Sequence, residues 1–570
     1  MIGDQNRAPS AATVIGDPSP AEILERLDRH ATATRVPEVN GTSTNAHAAE
    51  TRRVLTVAAI VGFIVLAGNL LGFVRDLLIA DLFGASAKTD AFLVAWTIPE
   101  TTSTILLEGA MVYVLVPLLA SEITAYGNVR ALVRRTLGPL LALLATMTVL
   151  TAVAAPIVAK VAAPGLENTA VAVTSLRYAA VTIFFMGAAG YLCAVLRAHG
   201  RFVVPAFVYI AYNVGIIGLI VAGHTRLGIL SAAIGLAVGS ALMALVQVPA
   251  FLRIAKPGRL SLRVDRSLLL EISAFVPIGL FFLFRQLQVY VERFLGSFLN
   301  AGSISHLNYS MKTAQVPVTF ALGVAIVSFP VIARHAAAQD RAAMRSWLER
   351  TLRLVVALIL PAVVWLIAFA PDIIRTLYRH GEFTSADASA TASIMRIYSI
   401  GLVGQVVVSV AVLAFFATRS RLWLPVAAAL TGLAVDAIVG VALLGPLEAK
   451  GLALGNALGI LTMGVVLVVG IHRTVEPLDL VALLRGTVEL VAVAAAAGVI
   501  AWAATEQIPA SIGSLVHLSV GGALVIVLYP LIGRAFRVRE MEPVFDLVRR
   551  HRARRNDDRS ASNIGLGVDA

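Results

Sequence analysis

Cysteine occurs once in the 570 residues, at Cys193, which excludes an intramolecular disulfide framework. Charge is scarce as well. Asp, Glu, Lys and Arg make up 14% of the chain, where soluble domains carry roughly 25%. With 58% apolar residues and a mean hydropathy of +0.84, too few charges remain to coat a surface in water. The apolar excess must therefore face lipid. The same hydrophobicity excludes disorder over most of the length. Enzyme signatures are missing too: there is no Gly-rich phosphate loop closing on Lys and Ser/Thr, no His-Glu-x-x-His, and no paired Cys or His metal ligands. A membrane-embedded enzyme would need a polar constellation in a loop, and the loops are short.

What the chain does have is apolar runs. The first, Val54–Val74, is 21 residues, and a helix needs about 20 to cross a hydrocarbon core. No basic segment leads directly into a short apolar stretch with a small-residue cleavage site, so this run reads as a retained span rather than a signal peptide. Further spans are expected near 91–118, 137–159, 176–196, 203–223, 228–252, 268–292, 304–332, 354–371, 391–416, 422–444, 449–471, 486–503 and 513–533. The expectation is an all-α integral membrane protein of about 14 transmembrane helices. Residues 1–52 read as a disordered cytoplasmic tail and 534–570 as a basic one, with nine arginines. An even helix count puts both ends on one side, and the positive-inside rule makes that side the cytoplasm. Inward loops hold clusters such as Arg130, Arg134 and Arg135, then Arg253, Lys256, Arg259, Arg263 and Arg266, then Arg334, Arg341 and Arg345. Outward loops hold fewer. The net charge of +12 is thus a topology signal, and nucleic acid is not an implied partner.

An internal repeat organises the spans. Arg75, Gly84 and Pro99 recur as Arg293, Gly302 and Pro317 at an offset of 218. Gly200-Arg-Phe-Val-Val-Pro205 recurs as Ser420-Arg-Leu-Trp-Leu-Pro425, and Gly235-Leu-Ala-Val-Gly-Ser-Ala-Leu242 as Gly451-Leu-Ala-Leu-Gly-Asn-Ala-Leu458. Three matches in one order at nearly one offset indicate duplication. Helices one to six (53–254) then correspond to seven to twelve (255–473), in the same orientation, with helices thirteen and fourteen (474–533) outside the repeat. Substrate in such parallel two-lobed transporters sits between the lobes.

Charges within the spans are the chemistry on display. The first apolar run continues past Arg75 and Asp76, placing Arg75 inside a long helix, where it should face a cavity or a partner. The alternative is an interfacial Arg paired with Asp76 that snorkels to headgroups. Arg285, Gln288 and Glu292 share one helical face by their spacing of three and four, and Arg293 and Lys312 follow. A cluster of such cations would attract an anion, phosphate above all, because Arg binds it with a two-pronged fork; static ion pairs between helices are the alternative. Asp90 and Glu108 are candidate partners for these cations, or static pairs and caps. Asp436 is a candidate for a coupling cation. No cofactor is implied, and coupling would be to membrane potential, protons or sodium.

Gly72-Phe-Val-Arg-Asp76, Leu82-Phe-Gly-Ala85, Thr89-Asp-Ala-Phe92, Ile98-Pro99 and Glu108-Gly-Ala110 together resemble the opening signature of the MurJ/MviN family. These are lipid II flippases of the multidrug/oligosaccharidyl-lipid/polysaccharide exporter superfamily. The resemblance continues through Leu377-Tyr-Arg-His-Gly-Glu-Phe-Thr384, Tyr398-Ser-Ile-Gly-Leu402, Phe415-Phe-Ala-Thr-Arg419 and Gly445-Pro-Leu447. It implies movement of an undecaprenyl-pyrophosphate-linked peptidoglycan precursor across the bacterial cytoplasmic membrane, with cavity arginines on the pyrophosphate. It further implies a lipid-tail groove at the last two helices, and leaves cell-wall synthesis proteins as partners of the tails. Arg75, Asp76, Asp90 and Glu108 match family positions. Four positions depart: Asn69 stands where the family has an arginine, Ser103-Thr104 where it has an arginine pair, and Lys312 where it has another arginine. Another polyprenyl-linked glycan, a cation-coupled drug exporter and a non-transporting cell-wall scaffold are the alternative readings.

Overall fold

Backbone N–H and C=O groups cannot stay unpaired in hydrocarbon, so a chain adapted to lipid closes its hydrogen bonds within helices. The computed structural model describes residues 44–538, apart from 257, 259, 264–272, 274–275, 419–420 and 510–511, and those described residues form helices and no strand. Most of the expected tails lie outside the described residues. The first helix nevertheless begins at Thr44, inside the segment expected to be tail.

The N-terminal half comprises α1 (Thr44–Phe83), α2 (Ala87–Thr102), a π-helical segment (Ser103–Leu115), α3 (Val116–Tyr126), α4 (Arg130–Val153), α5 (Ala155–Ala162), α6 (Thr169–Ala198), α7 (Val203–Ala206), α8 (Val208–Leu227), α9 (Leu230–Leu245) and α10 (Val248–Ala255). The C-terminal half comprises α11 (Val276–Gly296), α12 (Ser303–Ala337), α13 (Arg341–Ala368), α14 (Ala370–Tyr378), α15 (Ser385–Thr418), α16 (Trp423–Leu447) and α17 (Ala449–Thr474). Helices α18 (Leu480–Thr505) and α19 (Ser514–Ala535) follow.

Among the described residues, 11 helical stretches are long and apolar enough to cross a membrane. Large apolar side chains on their outer faces, such as Val153, Ile438, Val481 and Ile526, are more than two-thirds exposed. In water that surface would be untenable. The expected spans at 91–118, 268–292 and 304–332 are not among the 11. They fall on α2 with the π segment, on α11 and on α12, the helices that carry Glu100, Arg285, Glu292, Arg293 and Lys312.

The break after α2 has a local cause. Pro99 removes a backbone donor, and the hydroxyls of Thr101 and Thr102 donate back to the carbonyls of Thr97 and Ile98 at 2.7 and 2.8 Å. Such back-bonding bends helices, and the chain resumes in π geometry at Ser103.

The repeat seen in the sequence reappears in the packing. In the N-terminal half α1 packs on α8, α2 and α4 on α6, α8 on α9, and α6 on α9. The corresponding C-terminal pairs are α11 on α16, α12 and α13 on α15, α16 on α17, and α15 on α17. Even the short α5 and α14 correspond, each opened by a proline at the helix start, Pro156 and Pro371. Helices α18 and α19 pack on each other and on α13, outside that pattern.

The halves touch where α1 and α11 end. Gly84 and Gly302, repeat equivalents, both have positive φ (+60° and +91°), a conformation that favours glycine. A Cβ on Gly84 would lie 2.7 Å from the Glu382 carbonyl oxygen of the C-terminal half, and one on Gly302 would lie 2.7 Å from the Ala85 carbonyl oxygen of the N-terminal half. Nearby, the Glu382 N–H donates to the Asp81 carbonyl at 2.8 Å, and the Gly165 N–H to Ser297 Oγ at 3.1 Å. Each half thus closes on the other through paired, backbone-level contacts.

Candidate substrate-binding cavity

Between the halves, on the α1 side of this junction, lies a cavity of about 480 Å³. That is within the usual range for a small-ligand site, though small for a whole glycolipid headgroup. Four of the residues singled out in the sequence line it: Arg75, Asp76, Arg285 and Lys312.

Arg75 is held from three sides. Its Nε and Nη2 donate to Asp76 Oδ1 at 3.0 and 2.7 Å, and its Nη1 donates to Asn213 Oδ1 at 2.8 Å. Asn213 is fixed in turn through its Nδ2, which donates to the Gly68 carbonyl at 3.0 Å. Below the guanidinium lies the Trp96 ring, 4.3 Å from its centroid, a cation–π contact. Arg75 is therefore a pre-aimed group at the cavity wall, and Asp76 takes much of its charge.

Lys312 enters from α12 and pairs with Glu100 of α2. Glu100 was not among the residues raised by the sequence; the signal available was a lone carboxylate directly after Pro99 within an apolar segment. The other lining groups are neutral. Asn69, Gln286, Gln288, Gln315, Gln405 and Asn456 present carboxamides, and Tyr209, Tyr212 and Tyr398 present phenols. Gln288 Nε2 is buried and has no hydrogen-bond partner among the described residues.

Of the other expected site residues, Asp90, Arg293 and Asp436 occupy other places. Asp90 is buried at the junction, where its carboxylate accepts from Gly302 N–H and Ser305 N–H, both at 2.7 Å, and from Ser305 Oγ. It caps α12 across the two halves, because a carboxylate satisfies the free donors at a helix start. Arg293 is 1% exposed and faces its own half, donating to the Ile304 carbonyl at 3.2 Å and to Asn308 Oδ1 at 2.8 Å. Glu108 falls on the π segment, and its side chain lies outside the described residues. Glu292, on the same helix as Arg285, and Asp436, on α16 packed against it, are each 1% exposed inside the C-terminal half; neither lines the cavity, but Glu292 lies directly behind it, against the lining residues Tyr398 and Asn456. Asp436 Oδ2 has no partner among the described residues.

A helical membrane protein whose two repeated halves enclose a polar cavity at their interface is a two-lobed transporter. A family model described as "Lipid II flippase MurJ" matches residues 79–521, and the chain belongs to that family. A probable lipid II flippase MurJ of Buchnera aphidicola subsp. Baizongia pistaciae is 30% identical over 367 residues, covering 62% of this chain and 71% of that one. The lipid II flippase MurJ of Burkholderia cenocepacia is 29% identical over 383 residues, covering 65% and 73%. Among solved structures, a lipid II flippase MurJ in an inward closed conformation superposes with a TM-score of 0.67 at 20% identity, covering 84% of this chain and 99% of that one. An inward-facing multidrug transporter of the MATE family gives 0.60 at 14% identity, covering 72% and 98%. The chain is a multi-pass membrane transporter and not an enzyme.

Proposed function

We propose that the protein moves lipid II, the polyprenyl-pyrophosphate-linked peptidoglycan precursor, from the inner to the outer leaflet by alternating access. The observation that carries this reading is the cavity itself: in a chain of the MurJ family, Arg75, Arg285 and Lys312 converge on one space bordered by carboxamides. The cations suit the pyrophosphate. The carboxamides offer the paired donors and acceptors that sugar hydroxyls, acetamido groups and peptide bonds require. A cavity with three cations and two carboxylates also favours an anionic ligand over the cationic drugs that an exporter of that class would carry.

With both termini in the cytoplasm, the junction at Gly84, Asp90 and Gly302 closes the outer side, and the cavity lies inward of it. Rocking the halves about the substrate would open the junction. Asp436 and Glu292 lie outside the cavity, so a coupling cation or proton taken up there would act on the C-terminal half without touching the substrate.

Growth rescue tests the reading. A bacterial host depleted of its own flippase should survive when this chain is supplied from a plasmid. Lysis despite verified membrane insertion would sink it.

A further inference from the structure

The pair between Glu100 and Lys312 crosses the cavity from one half to the other, Glu100 on α2 and Lys312 on α12. Its side chains are 15% and 25% exposed. Beside it, Thr101 Oγ1 and Tyr290 OH lie 2.9 Å apart, again one from each half. Glu100 spends one oxygen on Lys312. Its other oxygen, Oε2, is buried without a hydrogen-bond partner among the described residues. A static brace would satisfy both oxygens, as an arginine's two-pronged fork does. Lysine is a compact charge on a flexible stem, which can be given up to another anion without rebuilding the wall.

An anionic ligand entering this cavity meets cations that are already engaged: Asp76 holds Arg75, and Glu100 holds Lys312. To take Lys312 the ligand must displace the Glu100 carboxylate. Once displaced, that carboxylate faces a second negative charge in a partly desolvated space, and the two repel.

We propose that Glu100 is an internal competitor for the ligand's anionic group, and that its release from Lys312 unties the two halves, so that capture of a diphosphate-bearing lipid is coupled to their separation. This specificity role rests on the transport reading above for the identity of the ligand. The latch itself rests on the Glu100–Lys312 geometry alone.

The test uses the full chain in lipid nanodiscs, with farnesyl diphosphate as probe and farnesol as the phosphate-free control. Spin labels on Lys88→Cys and Glu382→Cys, exposed positions on opposite sides of the junction, report separation. The native Cys193 is buried and does not compete for label. Glu100→Gln keeps the shape and removes the charge. It should bind farnesyl diphosphate about tenfold more tightly, the low end of what a hydrogen bond to a charged group is worth. Its label distance should lengthen without ligand, whereas the unsubstituted chain should lengthen only with farnesyl diphosphate. Where the unsubstituted chain binds farnesyl diphosphate, equal or weaker binding by Glu100→Gln, or tighter binding with no change in distance, would overturn the proposal. Should the unsubstituted chain ignore farnesyl diphosphate while Glu100→Gln separates unaided, the latch stands and the diphosphate reading falls. Should the unsubstituted chain respond and Glu100→Gln behave identically, the reading stands and the latch falls.

Discussion

Arg75 and Arg293 are the same residue twice, at matching places on α1 and α11, yet they do different things. Arg75 lies at the cavity wall between Asp76, Asn213 and Trp96. Arg293 turns into its own half and ties α11 to the first turns of α12 through Ile304 and Asn308. Their neighbours account for the divergence. Asp76 follows Arg75, and its carboxylate supplies a local counter-charge at the cavity; Phe294 follows Arg293 and supplies none, so that guanidinium finds its acceptors on the next helix. Gly84 and Gly302, from the same repeat, kept one role because a positive φ and a close backbone contact can be met by little except glycine. A duplicated residue preserves its role when backbone geometry imposes it, and changes role when neighbouring side chains do.

That comparison makes opposite predictions for the two arginines. Arg75→Ala should abolish growth rescue in flippase-depleted cells while the protein remains at its normal level in the membrane, since the loss falls on the cavity. Rescue at full strength would mean that Arg75 serves only to anchor α1. Arg293→Met should act on stability first. Removing a buried guanidinium strands Asn308 and the Ile304 carbonyl, a loss of about 3 kcal/mol. It should appear as a lower unfolding midpoint in detergent, with reduced protein in the membrane. A stable Arg293→Met protein that fails to transport would collapse the distinction and return Arg293 to the substrate path.

Much of the fold was legible because lipid leaves few options: apolar length and the repeat offset each encode one structural feature directly. The cavity was legible where a charge interrupts an apolar run, as at Arg75, Arg285 and Lys312. Asp90 stayed open between cap and ligand partner, since a carboxylate in the first turn of a helix reads the same whether it caps a neighbouring helix or meets a ligand, and only the approach of Gly302 and Ser305 decides. Glu100 and Asn213 were not legible as a site at all. Their meaning lies in partners 212 and 138 residues away, which no local spacing encodes. The π segment was hidden for a related reason: its apolar run satisfies span length, while the geometry turns on Pro99 and two hydroxyls upstream.

Asp90 and Ser103 test the N-terminal half further, with smaller expected effects. Asp90→Ala removes a cap shared between the halves and should cost about 1–2 kcal/mol at the junction. Cysteines placed there should react faster with a water-soluble maleimide, and an unchanged rate would mean that Gly84 and Gly302 hold the junction without it. Ser103→Arg asks whether the cavity is limited by its number of cations or by their internal pairing. Ser103 lines the cavity three residues after Glu100, within reach along the helix, and its Oγ lies 3.3 Å from Tyr209 OH. A new guanidinium there would take the free side of Glu100 before any ligand does, adding a cation and engaging a carboxylate at once. The net change in farnesyl diphosphate binding should therefore be small, about threefold or less, as for a partly exposed ion pair. A gain above about tenfold would be more than such a pair supplies, and would show that the cavity lacks charge rather than holding it in reserve.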